Sequence, residues 1–333
     1  AYGGVVEFNK LLFKYAQLKL NSFKLNSGAR NNKFISFILL IADYLRFAFY
    51  LSVNRIEVIH VNPSLAKNSL IRDGIFVLFS KLFGKKVYVH WHGWDEKKEY
   101  LLKAWYLKFT FFRADHIRFL SKNFEKKFKN LGYLNSSSVG KTFFDDDILK
   151  LNLNKSENRT KRLLFLSTLS KNKGIYEVLN LFMDINNVYN LELIIAGKGP
   201  EEPNIINIIQ QNNLTNIEMV GFVYGEDKYS CFLNSDIYLF PSYYEGMPTS
   251  VLEAMAFGLP IVCSKVGALP EIFHNGINGF MVDDLGQLKS YVEKLLNDDK
   301  LRERIGENNR RYAEDFFRAS VVVSDIENEY LSL

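Results

Sequence analysis

Short β-branched runs alternate with helix-patterned segments along nearly the whole of this 333-residue chain. That alternation leaves few folds open, because strands separated by helices assemble into parallel sheets covered on both faces. In the first half, Glu57–Asn62 and Lys86–Trp91 read as strands, and Asn68–Leu82 between them has helical spacing and stops before Gly84. A helix through Tyr100–Phe112, a strand at His116–Leu120 and a helix at Asn123–Asn130 closed by Gly132 follow. The second half repeats the scheme. Leu163–Ser167, Leu191–Ala196, Ile217–Val220, Ile237–Phe240 and Pro260–Ser264 are the strands; Gly174–Asp184, Pro203–Asn212, Asp227–Leu233 and Pro248–Phe257 are the helices. The polar stretch Leu149–Thr160 separates the two blocks. The reading is α/β throughout: a domain over 1–152, a second over 153–316, and a helix over 317–333 predicted to pack back on the first. Two doubly wound domains of this kind, side by side, bind ligands in a cleft at the carboxyl ends of their strands.

Charge divides along the same line. Residues 1–150 carry 25 Lys and Arg against 12 Asp and Glu, whereas the remainder carries 17 against 25. The first domain is therefore expected to meet something anionic: nucleic acid, lipid headgroups or a phosphorylated small molecule. Two cysteines, Cys231 and Cys263, are too few for a disulfide framework, which favours a reducing compartment. Ala1-Tyr2-Gly3-Gly4 has no basic stretch leading into an apolar core, so no leader is expected there. The apolar run Phe34–Leu51 is long enough to cross a bilayer, but Asp43 and Arg46 near its middle would each cost about 2.5–3.5 kcal/mol there. Three residues apart on a helix, they can pair. The expectation is a long buried helix.

The segment from Phe240 to Pro260 is the richest in chemistry. A strand runs into a loop holding Glu245, and a helix opened by Pro248 and closed by Gly258 carries Glu253 about one turn inside. The first turn of such a helix leaves backbone N–H groups unpaired beside a partial positive charge, which suits a phosphate. Two carboxylates so placed can accept hydrogen bonds from two separate polyols with a diphosphate between them, which is the shape of a nucleotide-sugar. Without its flanks, the pair would read as a capping acid and a solvated helical glutamate.

The flanks give it a context. Glu245 and Glu253 match the E-x7-E motif of glycosyltransferase family 4, retaining enzymes of the GT-B fold. Leu163–Gly174 resembles that family's strand–loop–Lys-Gly segment, and Leu193–Pro200 its next strand and turn. Val266–Ile272 and Asn275–Gly279 resemble its closing motifs. The resemblance covers roughly 163–284 and extends more loosely over the first domain. It implies two Rossmann-like domains facing a cleft, the second holding the nucleotide-sugar and the first the acceptor.

What the resemblance implies about residues is specific. Glu245 would hold hydroxyls of the donor sugar beside the backbone of Gly246, Met247, Pro248 and Thr249, and Glu253 the nucleotide ribose. Lys173 would face the diphosphate and offset the charge that builds on the leaving group. Gly197 and Thr168 would line the donor site, and Phe222 and Val223 the base. The family commonly has an arginine five or six residues before that lysine; here Thr168 or Ser167 stands there, a cation fewer. Gly3-Gly4 ahead of a helical stretch Val5–Leu20 resembles the glycine loop near the donor phosphates. A strand precedes that loop in the fold, so a truncated N-terminus is expected. His92, before Gly93, would sit near the reacting sugar and acceptor, with Asp95 a weaker acid/base candidate and His90 a support for its strand. The candidate catalytic residues are thus Glu245, His92 and Lys173. The candidate acceptor residues are His92, Gly93 and Asp95.

Other patterns compete less well. His90 and His92 point the same way on a strand, yet no third zinc ligand is evident. Gly197-Lys198-Gly199 begins a dinucleotide fingerprint, but Glu202 replaces its third glycine. Asp145-Asp146-Asp147 could bind a cation but reads better as a solvated loop. Tyr100–Phe112 mixes two lysines with six aromatics, and with Lys122, Lys126, Lys127 and Lys129 nearby it suits an anionic bilayer. Nothing like a helix-turn-helix, zinc finger or stacking platform favours nucleic acid.

The expectation that results is a metal-independent retaining glycosyltransferase with no cofactor, using a UDP- or GDP-linked donor. Its acceptor would be a saccharide or lipid-linked saccharide of cell-surface polysaccharide synthesis, in the cytoplasm at the inner face of the membrane. A non-catalytic sugar-binding protein and a nucleotide-sugar epimerase of the same fold are the alternatives.

Overall fold

The computed structural model describes residues 4–26, 33–93, 95–153 and 160–333. The chain forms two compact units: residues 1–141 with 323–333, and residues 142–322.

The first unit contains α1 (Gly4–Tyr15), α2 (Lys33–Val53), β1 (Val58–Val61), α3 (Lys67–Leu82), β2 (Lys86–Trp91), α4 (Tyr106–Phe109), β3 (His116–Phe119), α5 (Lys122–Asn130) and β4 (Ser136–Val139). The four strands form a parallel sheet in the order β1-β2-β3-β4. Trp91, Phe111, Phe119 and Phe128 fill its core without solvent exposure. Burying each such side chain stabilises by about 1.5–3 kcal/mol. β4 escapes a sequence reading because three of its four residues are serines, with weak strand preference. Those serines are functional in the fold: the hydroxyls of Ser136 and Ser138 each lie 2.9 Å from a ring nitrogen of the buried His116.

Two expectations fail here. The run 34–51 is helical, and Arg46 does pair with Asp43 at 2.7 Å, but the helix is not buried. Only 17% of its most apolar window is covered. Phe47 and Leu51 pack on Phe76 of α3, while Leu45 and Phe49 remain two-thirds exposed. An apolar stripe wider than its partner can cover is left facing outward. Likewise Tyr100–Phe112 is not one helix. A 3-10 segment (Glu96–Lys103) ends where Ala104 turns extended, α4 spans four residues, and another 3-10 turn follows at Phe111–Arg113. Leu101, Leu102, Leu107 and Phe111 all enter the core, and their spacing matches no single helical face. Breaking the helix lets all four turn inward, leaving Tyr100, Trp105 and Phe109 outside.

Residues 142–153 pack with the second unit, whereas the sequence placed the change of domain after 152. The Phe144 amide donates to the Phe317 carbonyl at 3.1 Å, and Arg310 donates to the Leu149 carbonyl at 2.9 Å. The three aspartates within this stretch are each occupied. Asp145 caps the 3-10 turn Asp146–Lys150, Asp146 accepts from the amide and hydroxyl of Ser320, and Asp147 pairs with Lys150.

The second unit holds β5 (Lys161–Leu166), α6 (Ile175–Ile185), β6 (Leu191–Ala196), α7 (Glu202–Gln211), β7 (Ile217–Gly221), α8 (Gly225–Leu233), β8 (Ile237–Phe240), α9 (Thr249–Ala256), β9 (Ile261–Ser264), α10 (Leu269–Ile272), β10 (Gly279–Val282), α11 (Leu288–Asn297) and α12 (Asp299–Phe316), and the start of α13 (Ala319–Leu331). Its six parallel strands run β10-β9-β8-β5-β6-β7. The chain builds outward from β5 through β7, then returns to β8 on the other side of β5. The order therefore reverses between β5 and β8, and the loops leaving those two strands diverge around a crevice suited to a ligand.

The later part of α13 belongs to the first unit. Glu329 accepts from Tyr88 at 2.5 Å and from the buried Arg118 at 2.7 Å. Glu327 accepts from the amides of Gln17 and Leu18, at 2.8 and 2.6 Å.

Candidate functional site

The loops after β5 and β8 bring Lys173 and Glu245 together at the strand-order reversal. Lys173 ends a 3-10 turn (Lys171–Lys173), and Gly174, at φ 76°, turns the chain into α6. Its Nζ lies 2.5 Å from Glu245 Oε1, and the Ser242 hydroxyl donates to the same oxygen at 2.8 Å. The two loops are also tied through the backbone, the Tyr243 amide donating to the Asn172 carbonyl at 2.9 Å. The pair keeps access to solvent, with side chains 26% and 14% exposed.

A second loop braces Glu245 from behind. The Ala268 amide donates to the Gly246 carbonyl at 2.7 Å. The preceding Gly267 has φ 58°, and a Cβ there would lie 2.1 Å from the Gly246 oxygen. Only glycine fits that position, for conformation and for space. Gly197 is similar: at φ 144°, a Cβ would lie 1.9 Å from the Ser167 carbonyl, so the loop after β6 presses on the stretch holding Thr168. The segment Asn275–Gly279 closes the unit instead of lining this loop cluster. Asn278 bonds Asn309 of α12 at 2.9 Å, and Asn309 donates to the Leu259 and Asn278 carbonyls.

Downstream of Glu245, Met247 and Pro248 are buried and Pro248 precedes α9 in an extended conformation, with no side-chain cap on the helix start. Glu253, four residues into α9, is buried and pairs with Lys228 of α8 at 2.6 Å. Phe222 and Val223 lie just before α8, and Phe222 is exposed. Lys228 and Ser242 were not singled out in the sequence. Lys228 sits three residues beyond the glycine that opens its helix, and a lone lysine there resembles any solvated one.

The first unit carries its own polar cluster at the carboxyl ends of β1 and β2. The rings of His90 and His92 stack 4.2 Å apart, and Phe8 of α1 stands edge-on to both at 4.6 and 4.5 Å. His92 Nε2 is 2.5 Å from Asn62 Oδ1, and the Asn62 amide donates to Asn9 Oδ1 at 3.2 Å. Burial holds His92 down to about 3 and His60 to about 4, and it lowers His90 well below the ordinary value. All three rings are therefore neutral near pH 7. Because Asn62 Oδ1 only accepts, the His92 proton sits on Nε2, leaving Nδ1 as an acceptor. Neither ring nitrogen of His90 has a polar partner, and its role is packing. Among the described residues no three His, Cys, Asp or Glu side chains are grouped to hold a metal. Asp95 caps the 3-10 segment, accepting from the Lys97 amide at 3.0 Å and pairing with Lys98 at 2.8 Å. Gly93 has open space around its Cα. Gly4 is the first residue of α1 and not part of a loop, and that helix stops at Tyr15, short of the expected Leu20. Gly3 lies outside the described residues.

The paired acids, the lysine turn and the bracing loops all fall in one stretch of chain. Residues 149–312 match the glycosyl transferases group 1 family. A capsular polysaccharide biosynthesis glycosyltransferase of Staphylococcus aureus, CapM, is 28% identical over 62% of this chain and 56% of its own length. The chain thus spans about half the length of the curated relatives it matches. Likeness in structure is broader. Sucrose-phosphate synthase from Thermosynechococcus elongatus has a TM-score of 0.75 at 19% identity, over 93% of this chain and 82% of that one. HepE of Anabaena, in complex with UDP-glucose, scores 0.71 at 17% identity over 89% and 82%. These likenesses show the fold, two parallel-sheet α/β domains of the GT-B class.

Proposed function

We propose that this chain is a retaining glycosyltransferase of family 4 that moves a sugar from a nucleoside diphosphate-sugar to a saccharide or lipid-linked saccharide acceptor. The observation that carries the reading is the Lys173–Glu245 pair at the reversal of strand order. A carboxylate that accepts sugar hydroxyls and a cation that meets the diphosphate are both needed within one sugar's reach. In this reading the donor's C1–O bond breaks, the nucleoside diphosphate leaves with the electron pair, and the acceptor hydroxyl forms the new bond while passing its proton to an oxygen of the departing phosphate.

Each residue has a task. Glu245 orients the sugar; the backbone of Gly246, Met247, Pro248 and Thr249 lines the path to the phosphates. Lys173 turns from Glu245 to the diphosphate and stabilises its growing charge, an effect of several kcal/mol in a preorganised site. Glu253 receives the ribose, Phe222 and Val223 flank the base, and Thr168, Gly197 and Gly4 border the donor. His92, with Gly93 and Asp95, serves the acceptor. Neutral His92 is suited to accept a hydrogen bond from the acceptor hydroxyl through Nδ1, and burial, which holds it down to about 3, makes it a poor base at pH 7. No metal or cofactor is required, because the cation and helix start meet the charge. Two findings support the setting: the similarity of this chain to a glycosyltransferase named for capsular polysaccharide biosynthesis, and to a fold solved with UDP-glucose. The setting we propose is the cytoplasmic face of the membrane in surface-polysaccharide synthesis.

The deciding experiment is a thermal-shift screen of UDP-, GDP- and ADP-sugars followed by a transfer assay with lipid extract. One donor class should raise Tm by mass action and be consumed. Stabilisation without turnover would leave a sugar-binding protein, and an altered sugar still on its nucleotide would mean an epimerase.

A further inference from the structure

The outward face of α2 has no role in the donor or acceptor chemistry. Phe37, Ile38, Ile41, Leu45, Phe49 and Val53 recur at helical spacing along it and are 45–68% exposed. A contiguous apolar stripe of this length on a protein surface marks an interaction face. Its opposite face is fixed: Phe47 and Leu51 pack against Phe76 of α3, and Asp43 is fully buried. Asp43 accepts from the Asn26 amide at 2.9 Å and from Arg46 at 2.7 Å.

Charge says what the stripe meets. Residues 8–56 hold eight Lys and Arg and a single acid, the buried Asp43. Lys24 and Arg46 join Phe49 and Val53 in lining one depression beside the stripe, and Arg55 is exposed just past the helix end. An apolar stripe edged mainly by cations, with Glu57 past Arg55 an exposed acid at that end, complements acyl chains beneath anionic headgroups. A second copy of the chain would instead set cationic edges against each other.

We infer that α2 lies flat in the interface of an anionic bilayer, its stripe among the acyl chains and Lys24, Arg46 and Arg55 at the headgroups. The docked face argues against spanning: α2 would have to leave α3 and carry Asp43 and Arg46 into hydrocarbon. None of its residues is among those assigned to donor or acceptor, so the inference does not depend on the proposed reaction.

The test uses the full chain with vesicles of phosphatidylcholine alone or with about a third phosphatidylglycerol. The protein should sediment with anionic vesicles at low salt, several-fold less at high salt, and little with the neutral ones. Leu45→Ser with Phe49→Ser, both exposed positions, should lower binding at least tenfold with an unchanged melting temperature. Lys24→Glu with Arg55→Glu should remove most of the salt dependence. The inference is overturned by equal binding of the serine variant, by no binding of wild type, or by resistance to alkaline carbonate extraction. Lipid-free self-association abolished by the same serine substitutions would also overturn it, giving the face to a second copy.

Discussion

Lys173 and Glu245 form an ion pair 2.5 Å long between loops that leave neighbouring parallel strands on either side of the strand-order reversal. The contact joins residues 72 apart in sequence. It keeps both side chains partly open to solvent while Ser242 fixes the carboxylate. An ion pair of this exposure adds only about 0–1 kcal/mol to stability. In the proposed reaction its worth lies in holding two charges ready for a donor that is polar at one end and anionic at the other.

Glu245→Ala and Lys173→Ala should therefore separate folding from function. Transfer should fall by about two to three orders of magnitude in each, while unfolding free energies stay within about 1 kcal/mol of wild type. Steady-state rates and urea melts check both. A Lys173→Ala enzyme with wild-type kcat would remove the lysine from the account of the leaving group.

Glu253 and Lys228 should behave in the opposite way. Glu253 is buried, and removing it takes from the largely buried Lys228 the carboxylate it pairs with at 2.6 Å. Breaking such a pair costs about 3–5 kcal/mol, whereas replacing both partners by uncharged groups is near neutral. Glu253→Ala should therefore melt much earlier than wild type, and the double variant Glu253→Gln with Lys228→Met should recover most of the loss. Nucleotide affinity is best read by calorimetry in that double variant, where a weakened ribose contact is not confused with unfolding. Wild-type affinity there would count against the ribose assignment.

How much of this was legible in advance follows the kind of force involved. The strands Lys86–Trp91, Leu191–Ala196 and Ile237–Phe240 were read to the residue, because buried parallel strands show as short runs dense in β-branched, aliphatic and aromatic residues. β4 was not, since an edge strand of serines has no such run. The acids Glu245 and Glu253 were found through their spacing and flanks, but their partners were not. Lys228 and Ser242 gain meaning only when α8 and the β8 loop fold beside them. The error at α2 has the same root. Apolar content predicts a wish to be covered, and only the fold decides whether α3 can cover all of it.

The histidine cluster makes stability fall in acid. Burial lowers His60 from 6.5 to about 4 and His92 from 6.5 to about 3. The unfolded chain then binds protons that the folded one refuses. Their contribution is complete above pH 6.5 and is lost progressively as the pH falls towards those folded values. For His60 alone the loss reaches on the order of 3 kcal/mol once the pH is below its folded value, because the buried ring resists the charge that the unfolded chain accepts. Urea midpoints measured from pH 7.5 down to 4.5 should decline, and His92→Gln should flatten the decline. An unchanged slope in that variant would show that His92 is not buried in neutral form.

Gly267 offers the sharpest test of how the donor loop is held. Its φ of 58° strains any other residue, and a Cβ would meet the Gly246 oxygen at 2.1 Å. Gly276 has φ 77° but nothing within 4 Å of its would-be Cβ, so it carries the conformational strain without the collision. Gly276→Ala should cost about 1 kcal/mol and leave donor affinity alone. Gly267→Ala must push Gly246 and with it Glu245, so donor affinity should fall at least tenfold beyond the shared strain. Isothermal titration of both variants with the stabilising nucleotide-sugar makes the comparison. Equal affinities would mean that the loop after β9 does not brace Glu245, and that the close approach at Gly267 serves packing alone.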